Sequence, residues 1–212
     1  MARPLSPDYD KRKENILQHS AELFAAVGYH KASIDQLAEA STITKSLIYH
    51  YFNSKQDILY QCMLSHVELL RSTARGSIDP NKSSEDQLQS ILLQFLQIYE
   101  TAGARHRILV NDLQQLLPEQ KSEIVAIEND IAQIFKTLIT QITGSGDKDR
   151  NLDTARTFLL LSMINWTHTW FKAGGTMTSE ELGKLVYDVF VNGVAHGTRS
   201  EPKKSLPNAV KQ

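Results

Sequence analysis

Ser33-Ile34-Asp35-Gln36-Leu37-Ala38-Glu39-Ala40-Ser41-Thr42-Ile43-Thr44-Lys45-Ser46-Leu47-Ile48-Tyr49-His50-Tyr51 is the stretch on which the reading of this chain turns. Ser33 with Gln36 three residues later is a capping box, in which a hydroxyl and an amide each satisfy a free backbone N–H of a helix start. It opens a short helix through Ala40. Ser41 to Ile43 then make a tight turn into a second short helix, roughly Thr44 to Tyr51. A helix whose N-terminus can face a phosphate, a tight turn and a second helix sized for a major groove is the layout of a helix-turn-helix. Spacing alone leaves an ordinary helical hairpin open.

Outward from this stretch, apolar residues recur at three- and four-residue steps, with no sustained alternation of the kind a half-buried strand shows. The fold class is therefore all-α, with about nine helices. Upstream, Ile16, Ser20, Leu23, Phe24 and Val27 form one stripe that stops at Gly28. Downstream, Ser54 and Asp57 form a second capping box that starts a fourth helix reaching about Arg75. Ser84 to Gln87 cap a helix striped by Leu88, Ile91, Leu92, Phe95 and Tyr99, and Gly103 and Pro118 bracket the next. A long helix from about Glu119 carries Ile124, Ile127, Ile131, Ile134, Leu138 and Ile142. One helix is expected over about 152–173, and a last one is opened by Thr178 and Glu181. The domain expectation is a three-helix unit over 1–60 that carries the helix-turn-helix, a larger helical domain over 61–198, and a polar, disordered tail over 199–212.

Composition narrows the function classes. The 212-residue chain is 41% hydrophobic, enough for a substantial core, and its net charge is −1. Residues 1–60 hold seven basic side chains against seven acidic ones, so any affinity for nucleic acid has to come from placement. Lys11, Arg12 and Lys13 cluster ahead of the first helix, and Lys45 and Lys55 fall near the hairpin. The single cysteine, Cys62, allows neither an intrachain disulfide nor a cysteine metal site. No apolar run approaches the roughly 18 residues of a membrane span, and the N-terminus lacks a signal-like apolar segment. The expected setting is cytoplasmic, without membrane, metal or cofactor. An enzyme is disfavoured, because nucleophile elbow, glycine-rich phosphate loop, HExxH and histidine cluster at ligand spacing are all missing from the sequence. A purely structural or protein-binding helical module is the remaining rival.

The composite string Ile16-Leu17, Leu23-Phe24, Gly28-Tyr29, Ser33-Ile34, Leu37-Ala38, Lys45, Tyr49-His50-Tyr51-Phe52, Ser54-Lys55 and Leu59 closely resembles the N-terminal domain of the TetR family of bacterial transcription regulators, over about residues 12–62. The resemblance implies that Ser33, Thr44, Lys45, Leu47, Tyr49, His50 and Lys55 face operator DNA. Chemistry fits each role. Thr44 and Lys45 reach base edges or phosphates, with lysine suited to guanine acceptors. Tyr49 and His50 offer donors to backbone oxygens, and Lys55 a charge beside a helix start. Ser33 serves as a cap, a phosphate ligand or both. Two positions depart from the family pattern: Thr42 stands where glycine is common, and Leu47 where a small or hydroxyl residue is common. Leu47 suits a thymine methyl.

In the second domain, Leu159, Leu160, Leu161, Met163 and Ile164 make the penultimate helix apolar on more than one face. Burial inside one monomer and packing against a second subunit both fit, and the family resemblance implies a homodimer built on the last two helices. Arg105-His106-Arg107 to Asn111-Asp112, with Asn165-Trp166-Thr167-His168-Thr169-Trp170-Phe171-Lys172, resembles a TetR subgroup that responds to acyl-CoA thioesters. That likeness implies a small-molecule effector site. Phe95, Tyr99, Leu109, Trp166 and Trp170 would line an apolar tunnel, with Asn111 nearby and Arg105 or Arg107 meeting a phosphate or carboxylate. Core tryptophans with solvated arginines is the bland alternative. A hydrophobic ligand without CoA, such as a drug or a free fatty or aromatic acid, is the alternative effector.

Overall fold

The computed structural model describes residues 7–145, 150–172 and 174–197, so the expected tail at 199–212 lies outside the described residues. Among them are nine α-helices and no strands: α1 Pro7–Val27, α2 Ile34–Ala40, α3 Lys45–Tyr51, α4 Lys55–Gly76, α5 Ser84–Thr101, α6 Gly103–Asp112, α7 Pro118–Thr143, α8 Arg150–Asn165 and α9 Ser179–Gly197. The Lys11 to Lys13 cluster lies within the first turns of α1 rather than ahead of it.

Helix ends follow local chemistry. Ser33 and Gln36 form the expected capping box, with Gln36 N–H donating to Ser33 Oγ at 3.2 Å and Ser33 N–H donating to Gln36 Oε1 at 2.9 Å. Thr178 and Glu181 form another at the start of α9. At α4 the box is only half made. Ser54 Oγ accepts from Asp57 N–H at 3.0 Å, but the Asp57 carboxylate turns to the backbone N–H of Asn53. The helix expected over 152–173 stops at Asn165 and tightens into a 3-10 turn, Trp166–Thr169. Side chains there compete for the helix carbonyls: Thr167 Oγ1 donates to Ile164 O at 2.6 Å, and His168 Nδ1 donates to Asn165 O at 2.6 Å.

α4 organises the core. Its buried face, Ile58, Leu59, Cys62, Met63, Val67 and Leu70, packs against α1, α5, α6 and α7. Because α4 runs unbroken through residue 60, the hairpin and the larger helical body share one continuous element. α9 lies along α5, and α8 against α7. A second tie joins α1 to α6: Arg105, only 8% exposed, donates through Nη2 to Glu14 Oε1 and through Nη1 to Ser65 Oγ.

The turn between α2 and α3 ends in a strained residue. Thr42 has φ 56°, the left-handed region, and is the only non-glycine residue there among those described. Its N–H reaches Glu39 O at 3.0 Å and Ile43 N–H reaches Ala38 O at 2.9 Å, a helix-ending pattern that favours glycine. A β-branched side chain costs roughly 1–2 kcal/mol in this conformation. Since Thr42 is exposed and packs on little, Thr42→Gly is expected to stabilise the chain by about 1 kcal/mol after the added chain entropy of glycine. Thermal unfolding should show Tm rising by about 2–4 °C; an unchanged or lower Tm would exclude the strain.

Candidate functional sites

Two sites emerge from this framework. The first is the exposed face of α3. Ile48 is fully buried and anchors the helix, while Thr44, Lys45, Tyr49 and His50 are exposed and Leu47 half-buried. Thr44 is the N-cap: its Oγ1 accepts from Leu47 N–H at 3.2 Å. Lys45 Nζ pairs with Asp35 of α2 at 3.1 Å, both side chains largely in solvent. The ring of Tyr9 in α1 packs on Tyr51 at 4.6 Å and edge-on to His50 at 6.4 Å, bracing the last turn of α3. Lys11, Arg12 and Asn15 of α1 share a groove with Ile43 and Leu47. Sequence reading had singled out the basic cluster but not its meeting with Leu47, which depends on how α1 crosses α3.

Lys55 is tied into the α1–α2 loop. Its Nζ donates to Tyr29 O at 2.8 Å, Ala32 O at 2.8 Å and His30 O at 3.5 Å, and it lies 4.5 Å from the centre of the Tyr29 ring. These contacts close the α1–α2 loop and hold the ammonium against its carbonyls.

The second site is a cavity of about 250 Å³ enclosed by α4, α5, α6, α7 and α8. Phe95, Tyr99 and Leu109 line it as expected, with Val67, Leu70, Ile131 and Phe158. Its polar wall is Tyr99, His106, Glu128, Asn129, Ser162 and Asn165. The hydrogen bonds along this wall run in one direction. His66 Nε2–H donates to His106 Nδ1 at 3.3 Å, and His106 Nε2–H donates to Asn165 O at 3.3 Å. Tyr99 Oη donates to Asn165 Oδ1 at 2.9 Å, and its ring stacks on His106 with centroids 3.8 Å apart. With its Nε2–H on the Asn165 carbonyl, His106 can accept at Nδ1 only while neutral, and burial lowers His66 to about 3 and His106 to about 4. Glu128 goes the other way: burial raises its carboxyl above the usual range. Its position on a mostly polar face of α7, between Ile127 and Ile131, concealed it from sequence reading.

Five expected effector residues sit elsewhere. Arg105 faces away from the cavity into its ion pair with Glu14, because burial of a guanidinium demands a partner. Arg107 is exposed and lines a separate 140 Å³ pocket with Glu100, His168 and Phe171, and Asn111 is exposed outside the cavity wall. Trp166 and Trp170 are 64% and 55% exposed, since the 3-10 turn carries them to the surface. They line an adjoining groove with Leu159 and Met163, and Val110, Ser162 and Asn165 belong to both groove and cavity. Phe158, Leu159, Leu185 and Val189 add to the apolar surface of α8 and α9.

Comparison with known proteins agrees with this architecture. The family described as bacterial regulatory proteins, tetR family, matches residues 16–62, and the tetracyclin repressor-like C-terminal domain matches residues 81–194. A TetR-family transcriptional regulator from Bordetella parapertussis superposes with a TM-score of 0.80 at 29% identity, covering 84% of this chain and 93% of that one. AibR, solved with isovaleryl coenzyme A and operator DNA, superposes with a TM-score of 0.73 at 20% identity, covering 84% and 97%. The transcriptional repressor KstR2 of Mycobacterium tuberculosis is 19% identical over 187 residues, 87% of this chain and 94% of that protein. No helix among the described residues is long and apolar enough to cross a membrane. With both halves of the chain matched in order, this protein belongs to the TetR family of bacterial regulatory proteins, and its function is ligand-responsive transcriptional regulation.

Proposed function

We propose that the chain is a cytoplasmic repressor that binds a pseudo-palindromic operator as a homodimer and leaves it when a small molecule fills the α4–α8 cavity. The observation that carries the DNA-reading half is α3: a seven-residue helix held by one fully buried side chain, with Thr44, Lys45, Tyr49 and His50 exposed and Leu47 half-buried beside them. In this reading Lys45 and Thr44 meet base edges, Leu47 a thymine methyl, and Tyr49, His50 and Ser33 the phosphates. Lys55 acts indirectly, by holding the loop that positions α2. The exposed apolar residues of α8 and α9 supply the surface for a second subunit.

Operator titrations test the assignment. Lys45→Ala is expected to cost about 1–3 kcal/mol and to relax preference at one base pair. Asp35→Asn is expected to tighten binding at low salt, because it frees Lys45 and removes a negative charge from the DNA-facing edge. Unchanged affinity and selectivity on Lys45→Ala would reject the role of Lys45.

An acyl-CoA thioester is the effector this reading favours. The supporting facts are the cavity, the adjoining tryptophan groove and the likeness to AibR. A cavity of about 250 Å³ is small for a ligand site and has no room for a nucleotide, so only the acyl end would enter while the remainder lay outside. Release follows if the ligand prefers the DNA-incompetent arrangement, with coupling typically about 1–3 kcal/mol. CoA thioesters and the matching free acids, titrated into the protein–operator complex, separate the cases. Release by thioesters alone is expected; release by free acids alone, or by neither, rejects the CoA assignment.

A further inference from the structure

The wall of the cavity carries one charged side chain, Glu128, and among the described residues no lysine or arginine lines it. The other polar lining groups, Tyr99, His106, Asn129, Ser162 and Asn165, carry no full charge, and two of them have already given up a proton. The Tyr99 proton is given to Asn165, and the His106 Nε2 proton to the Asn165 carbonyl. Glu128 has neither hydrogen-bond nor ion-pair partner among the described residues, although it is only part-exposed and its charge is felt by Tyr99 across the cavity. A half-buried carboxylate without a partner is costly, and a ligand donor in hydrogen-bond reach removes that cost. A second carboxylate in the same space adds like-charge repulsion with no cation to offset it.

We propose that this cavity selects an apolar molecule, or the apolar end of a larger one, that carries a hydrogen-bond donor, an amine above an alcohol, with Glu128 as the acceptor. A carboxylate is rejected by the same residue. The inference rests on the cavity being the effector site, and it names the chemistry of the part that enters. Burial of Glu128 agrees with it, since a carboxyl raised by desolvation gains most from a cationic partner.

Three probes with one skeleton test this: 3-phenylpropylamine, 3-phenylpropanol and 3-phenylpropionate, titrated calorimetrically into the full chain without DNA. On the unsubstituted protein the amine is expected to bind at least about tenfold more tightly than the carboxylate, with the alcohol between them. Glu128→Gln keeps the shape and removes the charge, and should bring amine and carboxylate within about threefold. Equal or tighter binding of the carboxylate, an unaltered order in Glu128→Gln, or no binding by any probe overturns the proposal. The same probes added to the protein–operator complex keep the two readings apart. The expected binding order without operator release would leave Glu128 selectivity standing and sink the effector role. Release by a CoA thioester together with failure of the amine to bind would do the reverse.

Discussion

Phe95→Ala is expected to lower stability by about 3–5 kcal/mol and Tm by on the order of 10 °C. Phe95 is 1% exposed, meets the Phe135 ring edge-on at 5.5 Å, contacts Tyr99 at 6.1 Å and forms part of the cavity wall. Truncation therefore removes a full apolar side chain and leaves a void that α5 and α7, packed on either side, can close only in part. The void joins an existing cavity, so the loss should be partly recoverable. Benzene or toluene is expected to raise the Tm of the variant more than that of the unsubstituted protein, by mass action on the folded state. A loss below about 1 kcal/mol, or no difference in rescue, would mean that Phe95 is not a wall between core and cavity.

Acid should act through His66 and His106. Both are neutral when folded, lowered to about 3 and about 4, whereas an unfolded histidine titrates near 6.5. Below pH 6.5 the unfolded chain binds protons that the folded chain refuses. Stability thus falls with pH, by up to about 1.36 kcal/mol per unit for each histidine, until the folded pKa is reached. Together the pair should cost about 4 kcal/mol between pH 7 and pH 5. Protonation of His106 inside the fold would also set two N–H groups against each other across the 3.3 Å His66–His106 contact. Raised carboxyls at Glu128 and Asp112 oppose the trend in the lower part of this window. The variant His66→Gln isolates the effect: urea unfolding should show about half the loss of the unsubstituted protein between pH 7 and pH 5. An identical pH slope in the two would place the acid sensitivity elsewhere.

The helices were legible because their signals are local. Ser33 with Gln36, Thr178 with Glu181, and the three- and four-residue recurrence of Leu88, Ile91, Leu92 and Phe95 each act within one or two turns. Thr42 stood out only against the family pattern, where glycine is common, and its φ of 56° gives the physical reason. What depended on distant partners was not legible. Arg105 looks like an anion ligand until Glu14, 91 residues away, is placed beside it. Lys55 looks like a phosphate contact, and nothing near it in sequence shows the loop carbonyls that hold it. Trp166 and Trp170 keep the spacing of one helical turn in sequence, but hydrogen bonds from Thr167 and His168 tighten the backbone and carry both rings to the surface. Glu128 offered no local signal at all.

The tie between Glu14 and Arg105 has a consequence for how information crosses this molecule. Arg105 and His106 are adjacent on α6, one clamped to α1 beneath the DNA-reading hairpin and the other in the cavity wall. A ten-residue helix this short has little give, so the two neighbours move as one lever arm. If the cavity is the effector site, a ligand that displaces His106 is expected to pull on Arg105 and through it on α1. Linkage then runs with equal strength in both directions: operator bound at one end should weaken ligand uptake at the other by the same factor with which ligand weakens the operator. Replacing both partners together, so that no guanidinium is left buried without its carboxylate, is expected to weaken the coupling between the two ends.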